Sequence, residues 1–146
     1  MKKLMTFVCF ILVCSLCFSV PVQAENTANP RGSIFFTAYS TDLYKVSSTT
    51  FEIWFDVDAN ATILDVLGAS EIVVYCSPDQ QSWSEAGSYD MDDYPEMTEA
   101  YSYSYINYVT YYDAIPGYYY RARVTFYAKD SRGVGERDMY TEILRM

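Results

Sequence analysis

The chain is predicted to be all-β, a two-sheet antiparallel β-sandwich of about seven strands. Three observations carry this. Tyr118, Tyr120, Ala122, Val124, Phe126 and Ala128 alternate without a fault against Tyr119, Arg121, Arg123, Thr125 and Tyr127. Phe51, Ile53, Phe55 and Val57 do the same against Glu52, Trp54, Asp56 and Asp58. Strand side chains repeat every two residues, so each segment buries one face and wets the other. Finally, no stretch of ten residues carries a helical stripe, while turn residues recur between the apolar segments.

The elements follow in order. Met1–Ala24 reads as an export signal, to be removed: Lys2 and Lys3, an apolar run over Leu4–Val20, then Pro21-Val22-Gln23-Ala24 with small residues before the cut. An uncleaved anchor is the competing reading, but the 17 residues of Leu4–Val20 sit at the short limit for a membrane span. Leu16 and Val13, before Cys17 and Cys14, do not supply the small residue a lipid-anchored cysteine wants. Residues 25–32 form a flexible polar leader, and residues 33–146 the sandwich domain. Ile34–Tyr39 begins the first strand, Ser40-Thr41-Asp42 breaks it, and Leu43–Val46 resumes it. After Phe51–Asp58, Ala59–Ser70 reads as a connection in which Thr62–Leu67 forms a helical turn ended by Gly68. Glu71–Ser77 is the third strand, and Ser77–Ser82 is turn-rich. Trp83–Tyr89 is the fourth strand; Pro95 then keeps the acidic stretch Asp90–Glu99 out of a central strand. Tyr101–Tyr112 is the fifth, with Tyr101, Tyr103 and Tyr105 on one face. The 118–128 strand is the sixth, and Val134–Leu144 is the last, with Met139, Thr141 and Ile143 on one side.

Composition narrows the function. The chain carries 10 basic and 19 acidic residues, a net charge of −9, and removal of Lys2 and Lys3 makes it two units more negative. Such a surface repels phosphate backbones, which sets nucleic acid aside. There is no histidine, so histidine-based nucleophile systems and imidazole metal sites are excluded. Three of the four cysteines lie in the signal, and Cys76 alternates with Ile72 and Val74, so it reads as a small core residue rather than a reactive thiol. An internal disulfide is not expected in the exported chain. No carboxylate pair sits in a recognisable apolar setting, so an enzyme is not expected, nor is a cofactor.

Two features bear on binding. Asp90, Asp92, Asp93, Glu96 and Glu99 place five carboxylates in ten residues. Hard cations want several oxygens from one loop, but no glycine marks the turn, so a solvated acidic loop is preferred to a metal site at Asp90, Asp92, Asp93 and Glu96. Sixteen tyrosines and Trp54 and Trp83 follow the signal. Outward aromatics on a flat sheet can stack on sugar rings or anchor a protein; the competing reading is cross-strand packing. Alternation points to Trp54, Tyr103, Tyr105, Tyr119 and Tyr127 as the outward set. The expectation is a secreted, non-catalytic binding or interaction module. Its partner would be a cell-surface protein or a glycan, with no membrane span once the signal is cut. A carbohydrate-directed protein using aromatics and carboxylates is the alternative. Asn60-Ala61-Thr62 matches a glycosylation acceptor, which is expected to stay bare.

The fragment Ile115-Pro116-Gly117-Tyr118-Tyr119-Tyr120, followed by Ala122, Val124 and Phe126, resembles the sixth-strand motif of fibronectin type III domains. Ile72–Asp79 with Trp83 is similar to the third strand and hairpin of that class. The resemblance implies a fibronectin type III/immunoglobulin-like sandwich, with Gly117 in the turn and Tyr120 as a tyrosine corner whose hydroxyl folds back onto upstream backbone. It implies no activity. The chain also resembles a family of small secreted proteins of unknown function from Gram-positive bacteria. This rests on Phe55-Asp56-Val57, Leu67-Gly68, the Ser77–Trp83 turn, Tyr94-Pro95-Glu96-Met97 and Val124–Ala128. The turn here reads Asp79-Gln80 where that pattern has Asp-Gly.

Overall fold

Two antiparallel sheets pack face to face across a common core. The structure, a computed structural model, describes residues 34–60 and 62–146. The expected export signal (1–24), the leader (25–32) and the first residue of the 33–146 domain lie outside the described residues. Nine strands follow in order: β1 (Phe36–Lys45), β2 (Phe51–Ala59), β3 (Leu64–Ser77), β4 (Ser84–Asp90), β5 (Thr98–Ser102), β6 (Ser104–Tyr111), β7 (Tyr119–Asp130), β8 (Gly133–Tyr140) and β9 (Leu144–Arg145). A 3-10 turn at Pro95–Met97 precedes β5. The small sheet runs β1-β2-β6; the large one runs β4-β3-β7-β8, with β5 on β3 and β9 on β7. Among the described residues no helix is long and apolar enough to cross a membrane.

The alternating strands bury the faces expected of them. Phe51, Ile53, Phe55 and Val57 from β2 meet Tyr120, Ala122, Val124, Phe126 and Ala128 from β7, all nearly fully buried. Burying each of the large side chains stabilises the fold by about 1.5–3 kcal/mol, which is what holds the two sheets together. Cys76 is a half-buried free thiol packed against this core.

Several local expectations are corrected. β1 runs unbroken through Ser40-Thr41-Asp42, each paired to β2. Thr62–Leu67 holds no helical turn: from Leu64 the chain is already in β3. Ser70 is an extra residue, because Ala69 pairs with Phe126 and Glu71 with the adjacent Thr125. The bulge moves the buried set from Leu67 and Ala69 to Ile72 and Val74, so the alternation loses phase in mid-strand. Gly68 does not end a helix. A Cβ there would overlap the Met97 carbonyl oxygen and lie 2.7 Å from Thr98 Cα, so glycine lets the Met97–Thr98 backbone pass against β3.

The 101–112 segment is two strands. β5 pairs with β3 and β6 with β2, so the chain changes sheets at Tyr103. Tyr101 sits at φ 56 beside this crossing. The last strand divides likewise. The Thr141 hydroxyl accepts the Ala122 N–H at 2.9 Å and interrupts the ladder; β9 resumes it, and Ile143 is exposed rather than facing in with Thr141.

The 115–120 motif forms a tight turn into β7. The Tyr118 N–H donates to the Ile115 carbonyl at 3.2 Å, with Gly117 at φ +87. This is a turn with Pro116 first and glycine in the left-handed position. Tyr120 is buried and its hydroxyl accepts the Ile115 N–H, the arrangement of a tyrosine corner.

Candidate binding face

The outer face of the small sheet gathers aromatic and acidic side chains. On β2 the outward residues are Glu52, Trp54, Asp56 and Asp58, because Ile53, Phe55 and Val57 face the core. The register sets Asp42 and Tyr108 on either side of Trp54, Tyr44 and Thr110 beside Glu52, and Ser40 and Ile106 beside Asp56. Trp54 stacks on Tyr108 at 4.9 Å with the planes 21° apart, and Tyr44 meets Trp54 edge-on at 6.1 Å. The Trp54 indole N–H donates to Glu52 Oε2 at 2.8 Å, which fixes the ring. Tyr44, Ile106 and Tyr108 remain 54%, 61% and 44% exposed, so the belt is an open apolar surface.

A depression lies on each side of the stack. One, of ≈ 200 Å³, is lined by Asp42, Tyr44, Trp54, Asp56 and Ile106. The other, of ≈ 370 Å³, lies at the seam between the sheets and is lined by Tyr89, Tyr94, Glu96, Tyr108 and Tyr112. Two phenols close that seam: Tyr89 donates to the Thr110 carbonyl at 3.1 Å and Tyr111 to the Ala86 carbonyl at 3.3 Å. Burial, with Tyr94, Tyr111 and Tyr112 nearby, pushes the Tyr89 pKa up to about 12. Among the described residues the three ion pairs are Arg123 with Glu71 and Asp138, and Arg132 with Asp130. Asp42, Glu52, Asp56 and Asp58 therefore share one face with no ion-pair partner among those residues.

Of the residues expected to form an outward patch, only Trp54 belongs to this belt. Tyr105 is the clearest correction. It pairs with Val57 on the core side of β6 and packs on Phe55 at 6.1 Å, because the crossing at Tyr103 resets the phase of the strand. Its hydroxyl donates to the Glu96 carbonyl and accepts from Asn107 Nδ2 at 2.7 Å, and burial raises its pKa. Tyr103 is exposed at the crossing. Tyr119 and Tyr127 lie on the outer face of the large sheet, across the core from Trp54, and are half-buried. Arg145 lies over the Tyr119 ring at 5.5 Å. Beside them Arg121 is covered by Trp83, Tyr140 and Tyr75, at 4.3, 5.3 and 5.8 Å. Tyr75, Trp83, Tyr119 and Tyr140 of that face thus lie against the protein's own cations.

The acidic loop is organised inward. Met97 is fully buried, and Tyr105 and Asn107 both hold the Glu96 carbonyl. Asp90 Oδ1 accepts the Asp92 N–H at 2.9 Å, and the Asp90 carbonyl accepts from Asp93 and Tyr94. Among the described residues no three carboxylates or thiols come together to hold a metal ion, Asp90, Asp92, Asp93 and Glu96 included.

Tyr44, Tyr108 and Ile106 were missed as site residues. A signal for Tyr108 existed: phasing the strand from Val109, the buried residue, puts Tyr108 outward. The chain matches no family model and no curated protein.

Proposed function

We propose that the protein is an exported, non-catalytic binding module whose ligand face is the outer surface of β1-β2-β6. The Trp54–Tyr108 stack carries the reading. It is a fixed aromatic platform, open to solvent, contiguous with Tyr44 and Ile106, and rimmed by polar groups, as protein- and ligand-docking surfaces are. A non-catalytic role is supported by the openness of the face and by the lack of histidine; Asp42 is exposed and Asp56 half-buried, neither in an enclosed cleft.

The export-signal pattern over residues 1–24 supports a secreted location. In immunoglobulin lettering the strand order reads A-B-E against C′-C-F-G, which with the Tyr120 corner supports a fibronectin type III/immunoglobulin-like domain; the likeness to small Gram-positive secreted proteins rests on the sequence motifs alone. A carbohydrate ligand is the second reading, favoured by exposed tyrosine faces beside an open depression. The test is a glycan and peptide array probed with the wild-type protein and with a Tyr44→Ser/Trp54→Ser/Tyr108→Ser variant of unchanged circular dichroism. Ligands captured by the first and lost by the second are expected. Capture that is identical for both removes this face as the site.

A further inference from the structure

The protein contains two tyrosine–tryptophan–tyrosine groups, one on the outer face of each sheet. On the large sheet Tyr75, Trp83 and Tyr140 enclose the Arg121 guanidinium, whose Nε is buried without a hydrogen-bond partner, so ring faces do the holding. On the small sheet Tyr44, Trp54 and Tyr108 are set among Asp42, Glu52, Asp56 and Asp58, and among the described residues no lysine or arginine stacks on their rings. Ring faces and carboxylates attract the same thing, a cation.

We infer that the ligand of this face is a lysine- or arginine-bearing segment of a partner polypeptide; this rests on the binding reading above. One cationic side chain would lie against Trp54 and Tyr44 beside Asp42 and Asp56. A second would enter the seam depression between Tyr108, Tyr94 and Glu96. A neutral sugar could use the rings but would leave the carboxylates uncompensated. A second copy of this chain is disfavoured, because the net charge of −9 makes copies repel.

The probe is a fluorescein-labelled peptide carrying two arginines in a glycine–serine background, titrated into the full-length protein and followed by anisotropy. A glycine–serine peptide and neutral cello- and malto-oligosaccharides run alongside. Binding by the arginine peptide alone is expected. Trp54→Ala and the pair Asp42→Asn/Asp56→Asn should each weaken it about tenfold, roughly the effect of losing one desolvated cation–π or close charge contact. The pair Glu85→Gln/Glu136→Gln removes as much charge from the other sheet and should change it less than about twofold, since charges beyond a Debye length of ~8 Å are screened. The asparagine pair keeps side chains of the same size at one exposed and one half-buried position, so it reads the proposal even if Trp54→Ala unfolds. Equal losses from the two charge pairs would reduce the binding to general charge attraction and overturn the inference. Oligosaccharide binding lost in Trp54→Ala, with no arginine-peptide binding, overturns it while leaving the binding module in place. Failure of every peptide and glycan on the arrays removes the module reading itself.

Discussion

The Tyr120 hydroxyl accepts a hydrogen bond from the Ile115 N–H at 2.8 Å, five residues upstream. That ring is buried between Phe51 at 5.1 Å and Tyr111 at 5.9 Å, so one side chain ties the 115–118 turn, β7 and the small sheet together. Tyr120→Phe keeps the packing and leaves a backbone donor without its partner. Unfolding in urea should show a loss of about 1–3 kcal/mol with an unchanged slope. Binding at the Trp54 face should not move.

Gly68 and Gly117 both sit at positive φ, +156 and +87, and differ in what a new Cβ would meet. Gly68→Ala meets the backbone of Met97 and Thr98, which cannot step aside without opening the β3–β5 pairing. A loss of about 3 kcal/mol or more is expected, as for other severe overpacking. Gly117→Ala has nothing within 4 Å of the new Cβ and carries only the strain of φ +87. Its cost should be about 1–2 kcal/mol, the usual penalty of a left-handed residue. Chemical denaturation of both variants tests the order; equal costs would show that the crowding at Gly68 relaxes.

What could be read from the sequence was whatever alternation alone decides. β2 and β7 keep one phase throughout, so their buried residues, the turn at Gly117 and the corner at Tyr120 were all legible. Alternation fails where the phase changes. The Ser70 bulge hid the first half of β3, and the crossing at Tyr103 turned Tyr105 inward while its pattern still read as uniform tyrosine. Trp54 was legible as an outward residue. Its partners were not, because Tyr44 and Tyr108 reach it only through the registers of β1 and β6 on β2, which depend on long-range pairing rather than on local pattern.

The Asp79-Gln80 turn holds without glycine by a different device. Asp79 Oδ1 accepts the N–H groups of Gln81 and Ser82 at 2.9 Å each and the Ser77 hydroxyl at 3.0 Å, bonds that lower its pKa. Gln80 is left at φ 62. Gln80→Gly removes the left-handed penalty and adds chain entropy to the unfolded state. The net is an expected gain of about 0.5–1 kcal/mol, read as a rise in the denaturant midpoint.

Alkali should unfold the protein through its seam. The folded-state pKa of Tyr89 is raised from 10.0 to about 12, and burial raises those of Tyr111 and Tyr120 as well. The native state thus prefers the protonated phenol. Its contribution is complete below pH 10 and is lost as the pH rises through about 12. Stability measured from pH 8 upward should be flat and then fall in that window, with phenolate absorbance from these residues appearing late. Tyr89→Phe should lower stability at pH 8 by about 0.5–1.5 kcal/mol for the lost bond to Thr110 and make the alkaline fall shallower.

Arg121 is the cation the protein keeps for itself, and its energetics bear on what the opposite face can hold. Its Cζ lies 4.3 Å from the Trp83 ring centroid, and Arg121 pairs with Tyr75 of β3. Arg121→Met retains the aliphatic stem and removes the charge; Arg121→Lys retains the charge and removes the plane. If ring faces hold the cation, stability should fall in the order Arg, Lys, Met, with Met about 1–2 kcal/mol below the wild type. If Met equals Arg, the stem alone supplies the packing, and a tyrosine–tryptophan–tyrosine group in this fold does not by itself favour a cation. The small-sheet face would then have to draw its selectivity from Asp42 and Asp56. The Asp42→Asn/Asp56→Asn pair would abolish arginine-peptide binding outright rather than weaken it in step with Trp54→Ala.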